Sequence, residues 1–176
     1  MKSLIIVLLA ASALLAVDSQ WILDQSTLSY HISHTLHQVD GTSHAARGKA
    51  VCHEAECKIL VAAPVKTFES GDSNRDLHMV QVARGAQFPL ITVRFRLPDT
   101  AAAQTTIHAD LEVQFAGETV TYKQVPFALS AHGNQIHVSG TIPAKMSDFK
   151  IEPPSLLGIA TKNEMPIRVD TTWRRL

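Results

Sequence analysis

Apolar and polar residues alternate with a period of two along most of this chain. The clearest segment runs from Thr105 to Phe115, where every second residue is apolar and the residues between are polar. Its apolar positions are Ile107, Ala109, Leu111, Val113 and Phe115. Successive side chains of a strand point to opposite faces, so this alternation predicts a β-strand with one buried face.

The same alternation predicts further strands on both sides of this segment. Their apolar positions are Leu28, Tyr30 and Ile32; Ile91, Val93, Phe95 and Leu97; Ile136, Val138 and Ile142; and Met165, Ile167, Val169 and Trp173. Tight turns are predicted at Ala116-Gly117-Glu118 and at Gly133-Asn134. Strands joined by such turns exclude a parallel α/β sheet and leave an all-β sandwich or antiparallel barrel.

The alternation slips once, near Gln124. The apolar residues Val120 and Tyr122 occupy even-numbered positions, whereas Val125, Phe127 and Leu129 occupy odd-numbered ones. An extra residue in one strand of an antiparallel pair produces such a slip. We therefore expect a β-bulge at Gln124.

One short helix, at about residues 73–84, is predicted between the strands. Ser73 is a good N-cap, and Asp76 three residues later suits a capping box. Leu77, Val80 and either Ala83 or Arg84 then recur at helical spacing, and Gly85 ends the pattern.

Residues 1–19 have the pattern of a signal peptide. Lys2 precedes an apolar run from Leu4 to Leu15, and small residues follow, with Ala16 or Ser19 at the expected cleavage site. A transmembrane helix needs about 20 apolar residues, so this run predicts cleavage rather than an anchor. The domain is then expected to span residues 20–176, in a periplasmic or secreted protein.

The charge balance gives no argument for a charged partner. The chain has 16 basic and 16 acidic residues, and removal of Lys2 and Asp18 leaves 15 of each. A nucleic-acid-binding domain usually carries a basic excess, so we expect no nucleic-acid partner.

The two cysteines, Cys52 and Cys57, lie close together in the sequence. In an exported chain this spacing predicts a local disulfide across a strand connection. The alternative is a thiol or metal site that also uses His53. The spacing matches neither a Cys-x-x-Cys redox pair nor a haem-attachment motif, so we favour the disulfide.

The nine histidines suggest a metal site, but their spacing argues against one. His31 and His34 are three residues apart and would point to opposite faces of a strand. His34 shares the inward parity of Tyr30, where a hydrogen-bonded core histidine is expected.

Calcium binding and catalysis find little support. Asp72-x-Asn74-x-Asp76 begins like a calcium loop, but its turn glycine and its final glutamate are missing. The chain also lacks the Gly-x-Ser-x-Gly and His-Glu-x-x-His motifs of hydrolases and metalloproteases. We therefore predict a binding protein rather than an enzyme, with no cofactor or metal.

One stretch resembles a known family. Ser70-Gly71-x-x-x-Arg75-Asp76-x-His78-Met79, followed by Phe88-Pro89 and Phe95, resembles the signature of the YceI-like proteins. The resemblance continues upstream in Trp21-Ile22-Leu23-Asp24 and downstream in Gly140-Thr141-Ile142-Pro143 and the segment from Ser147 to Gly158.

The resemblance implies an extended, lipocalin-like antiparallel barrel of about eight strands that binds a lipid. The ligand would be a polyisoprenoid, an isoprenoid quinone or a fatty-acyl lipid, and a homodimer would be compatible with the family. Period-two alternation alone equally suits a packed core, since eight strands leave just enough space for side chains. If there is a cavity, the expected lining residues are Tyr30, Ile32, His34, Val93, Phe95, Leu111, Val113, Phe115, Phe127 and Leu129.

The resemblance also assigns roles to polar residues. Arg75 and Asp76 match the family's Arg-Asp pair, which we expect to be a structural ion pair or hydrogen-bond element, next to Ser73 and His78. The competing hypothesis is a haem- or metal-associated redox protein that uses His34 and His78.

Overall fold

A computed structural model describes residues 18–156 and 158–176. The strands are β1 (Ser19–Ser33), β2 (Gln38–Ser43), β3 (Arg47–His53), β4 (Glu56–Pro64), β5 (Leu90–Pro98), β6 (Thr106–Phe115), β7 (Glu118–His132), β8 (Gln135–Ile142), β9 (Ser155–Leu156), β10 (Ile159–Ala160) and β11 (Ile167–Arg175). One α-helix, α1 (Ser73–Val82), lies between β4 and β5. The predicted signal peptide falls almost wholly outside the described residues; Ser19, its last residue, begins β1.

Eight of these strands form a closed antiparallel barrel. Following the pairings around the wall gives the order β1, β3, β4, β5, β6, β7, β8 and β11, and β11 pairs back with β1. The additional strand β2 pairs with the C-terminal half of β1. The all-β class and the barrel are therefore confirmed, and the sandwich is excluded.

The predicted turns and the bulge are both present. Ala116 and Gly117 form the two-residue turn between β6 and β7, with φ of 51° and 82°. Positive φ at both positions suits a hairpin, and glycine adopts it at no steric cost. The β6–β7 register shifts between Ala109 and Leu111, opposite Gln124, whose φ is 54°. The Asp110 carboxylate accepts hydrogen bonds from the backbone and side-chain nitrogens of Gln124, and these bonds lower the pKa of Asp110.

The start of the helix differs from the prediction. The N-cap is Asp72, whose carboxylate accepts from the backbone N–H groups of Asn74 and Arg75, both at 3.0 Å. Ser73 is the first helical residue, so its assignment as N-cap was wrong. Both residues are suitable caps by type, and the sequence does not show which adopts the extended backbone that a cap requires. Leu77, the first apolar residue of the helical pattern, is 59% exposed.

This assignment predicts unequal effects for two neighbouring substitutions. Asp72→Ala should lower the melting temperature by ~2–4 °C through loss of the cap, whereas Ser73→Ala should change it little. The hydrogen bond from the Arg75 N–H lowers the pKa of Asp72, so the cap stabilises the fold above the ordinary carboxyl pKa. Its contribution is lost as pH falls through that lowered pKa. The melting temperatures of the parent protein and of Asp72→Ala should therefore approach each other as the pH is lowered from 7 to 3. A larger effect of Ser73→Ala than of Asp72→Ala would contradict the assignment.

The connections divide between two ends of the barrel. At the α1 end lie the β1–β2 loop, α1, and the segment between β8 and β11, which the Lys162 N–H ties to the Ser33 carbonyl. The opposite end, here called the disulfide end, carries the β3–β4 and β7–β8 turns and the 3-10 helix Asp99–Ala103. In the residues that the structure describes, no helix is both long enough and apolar enough to span a membrane.

The predicted disulfide is present. Cys52 and Cys57 are directly opposite each other in the β3–β4 ladder and are bonded. The bond closes a short loop, so the chain-entropy account gives it about 2 kcal/mol of stability.

Chemical measurements can check this disulfide. Thiol titration of the unfolded, unreduced protein should find no reactive thiol, because both cysteines are bonded. Replacing both by alanine should lower the free energy of unfolding by about 2 kcal/mol. Two titratable thiols in protein from an oxidising compartment would contradict the assignment.

Candidate functional site

The barrel interior contains a cavity of about 550 Å³. This volume is within the 300–1,000 Å³ that small-molecule sites typically occupy. All eight barrel strands contribute to its wall, and nearly all of the contributing side chains are apolar. The interior is therefore not completely filled by side chains, in contrast to the packed core that alternation alone allows.

Nine of the ten residues expected at a cavity lie on its wall. These are Tyr30, Ile32, Val93, Phe95, Leu111, Val113, Phe115, Phe127 and Leu129. On β6 the inward side chains are buried, whereas the inward residues Val93 and Phe95 on β5 are only partly buried. Their contact with a ligand stays a prediction.

His34, the tenth residue, is absent from the cavity wall. Its ring is buried, and its Nδ1 accepts a hydrogen bond from the Leu36 N–H at 3.1 Å. The Nε2 atom must then carry the proton, which it donates to the Ile159 carbonyl at 3.0 Å. His34 thus holds the β1–β2 loop against β10, and this accounts for its inward parity.

One histidine that reaches the cavity, His37, was missed by the sequence analysis. It lies in the loop between β1 and β2, where strand parity no longer applies. Its ring packs beside that of His34, with centroids 5.1 Å apart. No periodic pattern could have selected it, because loop geometry determines its direction.

Arg75 and His78 also line the cavity, both from α1. The Arg75 guanidinium donates from Nε to the Ser70 hydroxyl and from Nη2 to the Ser70 carbonyl, each at 2.8 Å. Asp76 accepts hydrogen bonds from the backbone N–H and the hydroxyl of the same serine. Arg75 and Asp76 therefore both hydrogen-bond to Ser70 and do not form an ion pair with each other.

Tyr30 connects this polar group to the apolar wall. Its ring packs so closely on Gly41 that a β-carbon there would lie 2.3 Å from the ring. Burial raises the pKa of Tyr30, the Asp76 carboxylate raises it further, and the Arg75 charge lowers it. The Tyr30 hydroxyl therefore lies within the electrostatic reach of α1.

The disulfide end of the cavity has a different character. Trp21, Cys52, Cys57 and Pro98 line it, and its ionisable residue is Asp99. The arginine and histidine side chains of the lining are Arg75, His78 and His37, all at the α1 end. The cavity is therefore chemically asymmetric along the barrel axis.

Metal binding finds no structural support within residues 18–156 and 158–176. In those residues no three histidine, cysteine or acidic side chains converge as metal ligands would. One buried hydroxyl on the cavity wall, that of Thr161, has no hydrogen-bond partner there.

Comparison with known proteins identifies related domains. The family model of the YceI-like domain matches residues 20–173. No curated protein matches the chain.

Two solved structures share the fold. A polyisoprenoid binding domain from Saccharophagus degradans, implicated in plant cell wall breakdown, has a TM-score of 0.76 and 14% identity. The alignment covers 89% of this chain and 98% of that one. BcnA from Burkholderia cenocepacia has a TM-score of 0.68 and 15% identity, with 84% and 95% covered. At such identities the likeness is one of fold.

Proposed function

Because the chain belongs to the YceI-like domain family, we propose that it is a binding protein that holds one long apolar lipid inside its barrel. The observation that carries this proposal is the apolar cavity of about 550 Å³, to which all eight barrel strands contribute. Each buried methylene contributes about 0.8 kcal/mol, so a long hydrocarbon chain gains most from such a wall.

The ligand class that we favour is a polyisoprenoid, with an isoprenoid quinone or a fatty-acyl lipid as alternatives. Support comes from the solved neighbour described as a polyisoprenoid binding domain. Branched isoprene units suit a wall of valine, isoleucine, leucine and phenylalanine side chains, because both surfaces are apolar and irregular.

We further propose that the protein acts after export. The signal-peptide pattern of residues 1–19 supports a periplasmic or secreted location, and a disulfide persists in such compartments. Binding, rather than catalysis, is the proposed activity.

The competing redox hypothesis requires ligation by His34 and His78. Both ring nitrogens of His34 are already hydrogen-bonded, so ligation would break at least one of these bonds. The absorbance spectrum of protein purified from its native host tests this alternative: a Soret band would support it.

Native mass spectrometry of the purified protein, with organic extraction of what co-purifies, tests the proposed function. We expect one long-chain lipid per chain. Delipidated protein should then take up a prenyl or fatty-acyl probe saturably. No co-purified lipid and no saturable uptake of any long-chain probe would overturn the proposal.

A further inference from the structure

The arginine and histidine side chains that reach the cavity are concentrated at its α1 end. Arg75 and His78 come from one helix, and His37 comes from the β1–β2 loop. All three are solvent-exposed in part while also contributing to the cavity wall. They therefore stand where the apolar interior meets water.

The Arg75 side chain is held in place before any ligand arrives. Two of its hydrogen bonds end on Ser70, and Asp76 fixes Ser70 in turn. In the described part of the chain, its guanidinium makes no ion pair and its Nη1 makes no hydrogen bond. A fixed guanidinium with donors remaining is well suited to binding the oxygens of an anion.

Three carboxylates at this end accept hydrogen bonds from other groups. Asp76 accepts from Ser70, Asp72 caps α1, and Asp40 pairs with His31 at 2.8 Å. Among the described residues Arg75 makes no ion pair, so its charge remains available to an anion. An anion bound here can therefore accept hydrogen bonds from the Arg75 guanidinium.

Further polar groups line the same end of the cavity. Within the described residues, the His37 and His78 rings and the Tyr30 hydroxyl make no hydrogen bond. These groups can donate a hydrogen bond to a ligand oxygen in place of water.

We propose that the α1 end of the cavity is a subsite for an anionic, oxygen-bearing head group, bound by Arg75 with His78, His37 and Tyr30. The inference rests on the proposed function, because it places the ligand's hydrocarbon chain in the cavity and its tail toward the disulfide end. Phosphate and carboxylate groups share the required chemistry, since both present only hydrogen-bond acceptors when ionised.

Three probes with the same prenyl chain separate the head group from the chain. These are geranylgeranyl phosphate, geranylgeranoic acid and geranylgeraniol, titrated into delipidated protein. We expect the phosphate or the acid to bind about tenfold more tightly than the alcohol, as charge-assisted hydrogen bonds allow. The tighter of the two shows whether the subsite prefers phosphate or carboxylate.

Substitution locates the preference. In Arg75→Gln the ratio of alcohol to anion dissociation constants should fall to about one. Arg94→Gln is the matched control, since Arg94 is exposed on the outer face of β5 and pairs with Glu112; it should retain the full ratio. His78→Gln, which removes no hydrogen bond among the described residues, should lower the ratio in part.

A measurement without any substitution guards against misfolding of the variants. Raising sodium chloride from about 50 mM to about 500 mM should weaken binding of the anionic probes but not of the alcohol, because salt screens exposed charges.

The outcomes distinguish the two proposals. If the alcohol binds saturably and neither anion binds more tightly, the head-group subsite is overturned while lipid binding stands. A preference that Arg75→Gln leaves intact overturns it as well. If none of the three prenyl probes binds, the proposed function itself fails.

Discussion

Val113→Trp is expected to abolish uptake of long-chain lipid while leaving the delipidated barrel folded. Val113 lies on the cavity wall, between Val93 of β5 and Val120 of β7 in the register. A tryptophan there can extend into the open interior, so the overpacking penalty of about 1–3 kcal/mol that a filled core imposes should be largely avoided. The indole ring would occupy the ligand's space and lower affinity at least ~tenfold, or about 1.4 kcal/mol.

The measurement is paired: thermal stability of the delipidated protein, and retention of a prenyl or fatty-acyl probe. Glu112→Ala is the control, because Glu112 points outward from the same strand and forms only an exposed, 3.6 Å pair with Arg94. It should change both quantities little. Severe destabilisation by Val113→Trp, together with no saturable uptake by the parent protein, would show that the barrel is a packed scaffold.

Strand alternation predicted this wall because a barrel has only two faces. Once a side chain lies on a regular strand, its parity decides whether it points inward, and β6 keeps that parity from Ile107 to Phe115. The bulge at Gln124 was predictable for the same reason: it shifts the apolar count by one residue. Alternation could not show whether side chains fill the interior, because the space inside depends on how the strands close into the barrel.

The polar residues at the α1 end of the cavity were harder to predict from the sequence. His34 has inward parity, but its ring is held by the backbone of Leu36 and Ile159, and the latter is distant in the chain. His37 reaches the cavity from a loop, where no periodicity operates. The shared hydrogen bonds of Arg75 and Asp76 to Ser70 follow from the backbone path before α1, which residue types alone do not specify.

Phe149→Ala should destabilise the protein by about 3–5 kcal/mol, the range for a fully buried phenylalanine. Phe149 is only 1% exposed, and its ring packs edge-on against Phe115 with centroids 5.2 Å apart. Its carbonyl also accepts a hydrogen bond from Arg84, in the turn that follows α1. Truncation would remove packing between the β8–β11 connection and the end of the barrel.

Phe95→Ala is the informative comparison: both rings line the cavity, but Phe95 is only partly buried whereas Phe149 is fully buried. Phe95 is only partly buried and lines the cavity from β5. Its truncation forfeits fewer existing contacts, so we expect a loss of about 1–2 kcal/mol in unfolding free energy. Its effect on lipid retention should be the larger of the two, since the ligand supplies the contacts that the empty barrel lacks. Urea unfolding of delipidated protein and probe retention measure the two effects. Equal destabilisation by both substitutions, with lipid retention unchanged in Phe95→Ala, would mean that this wall packs against protein rather than ligand.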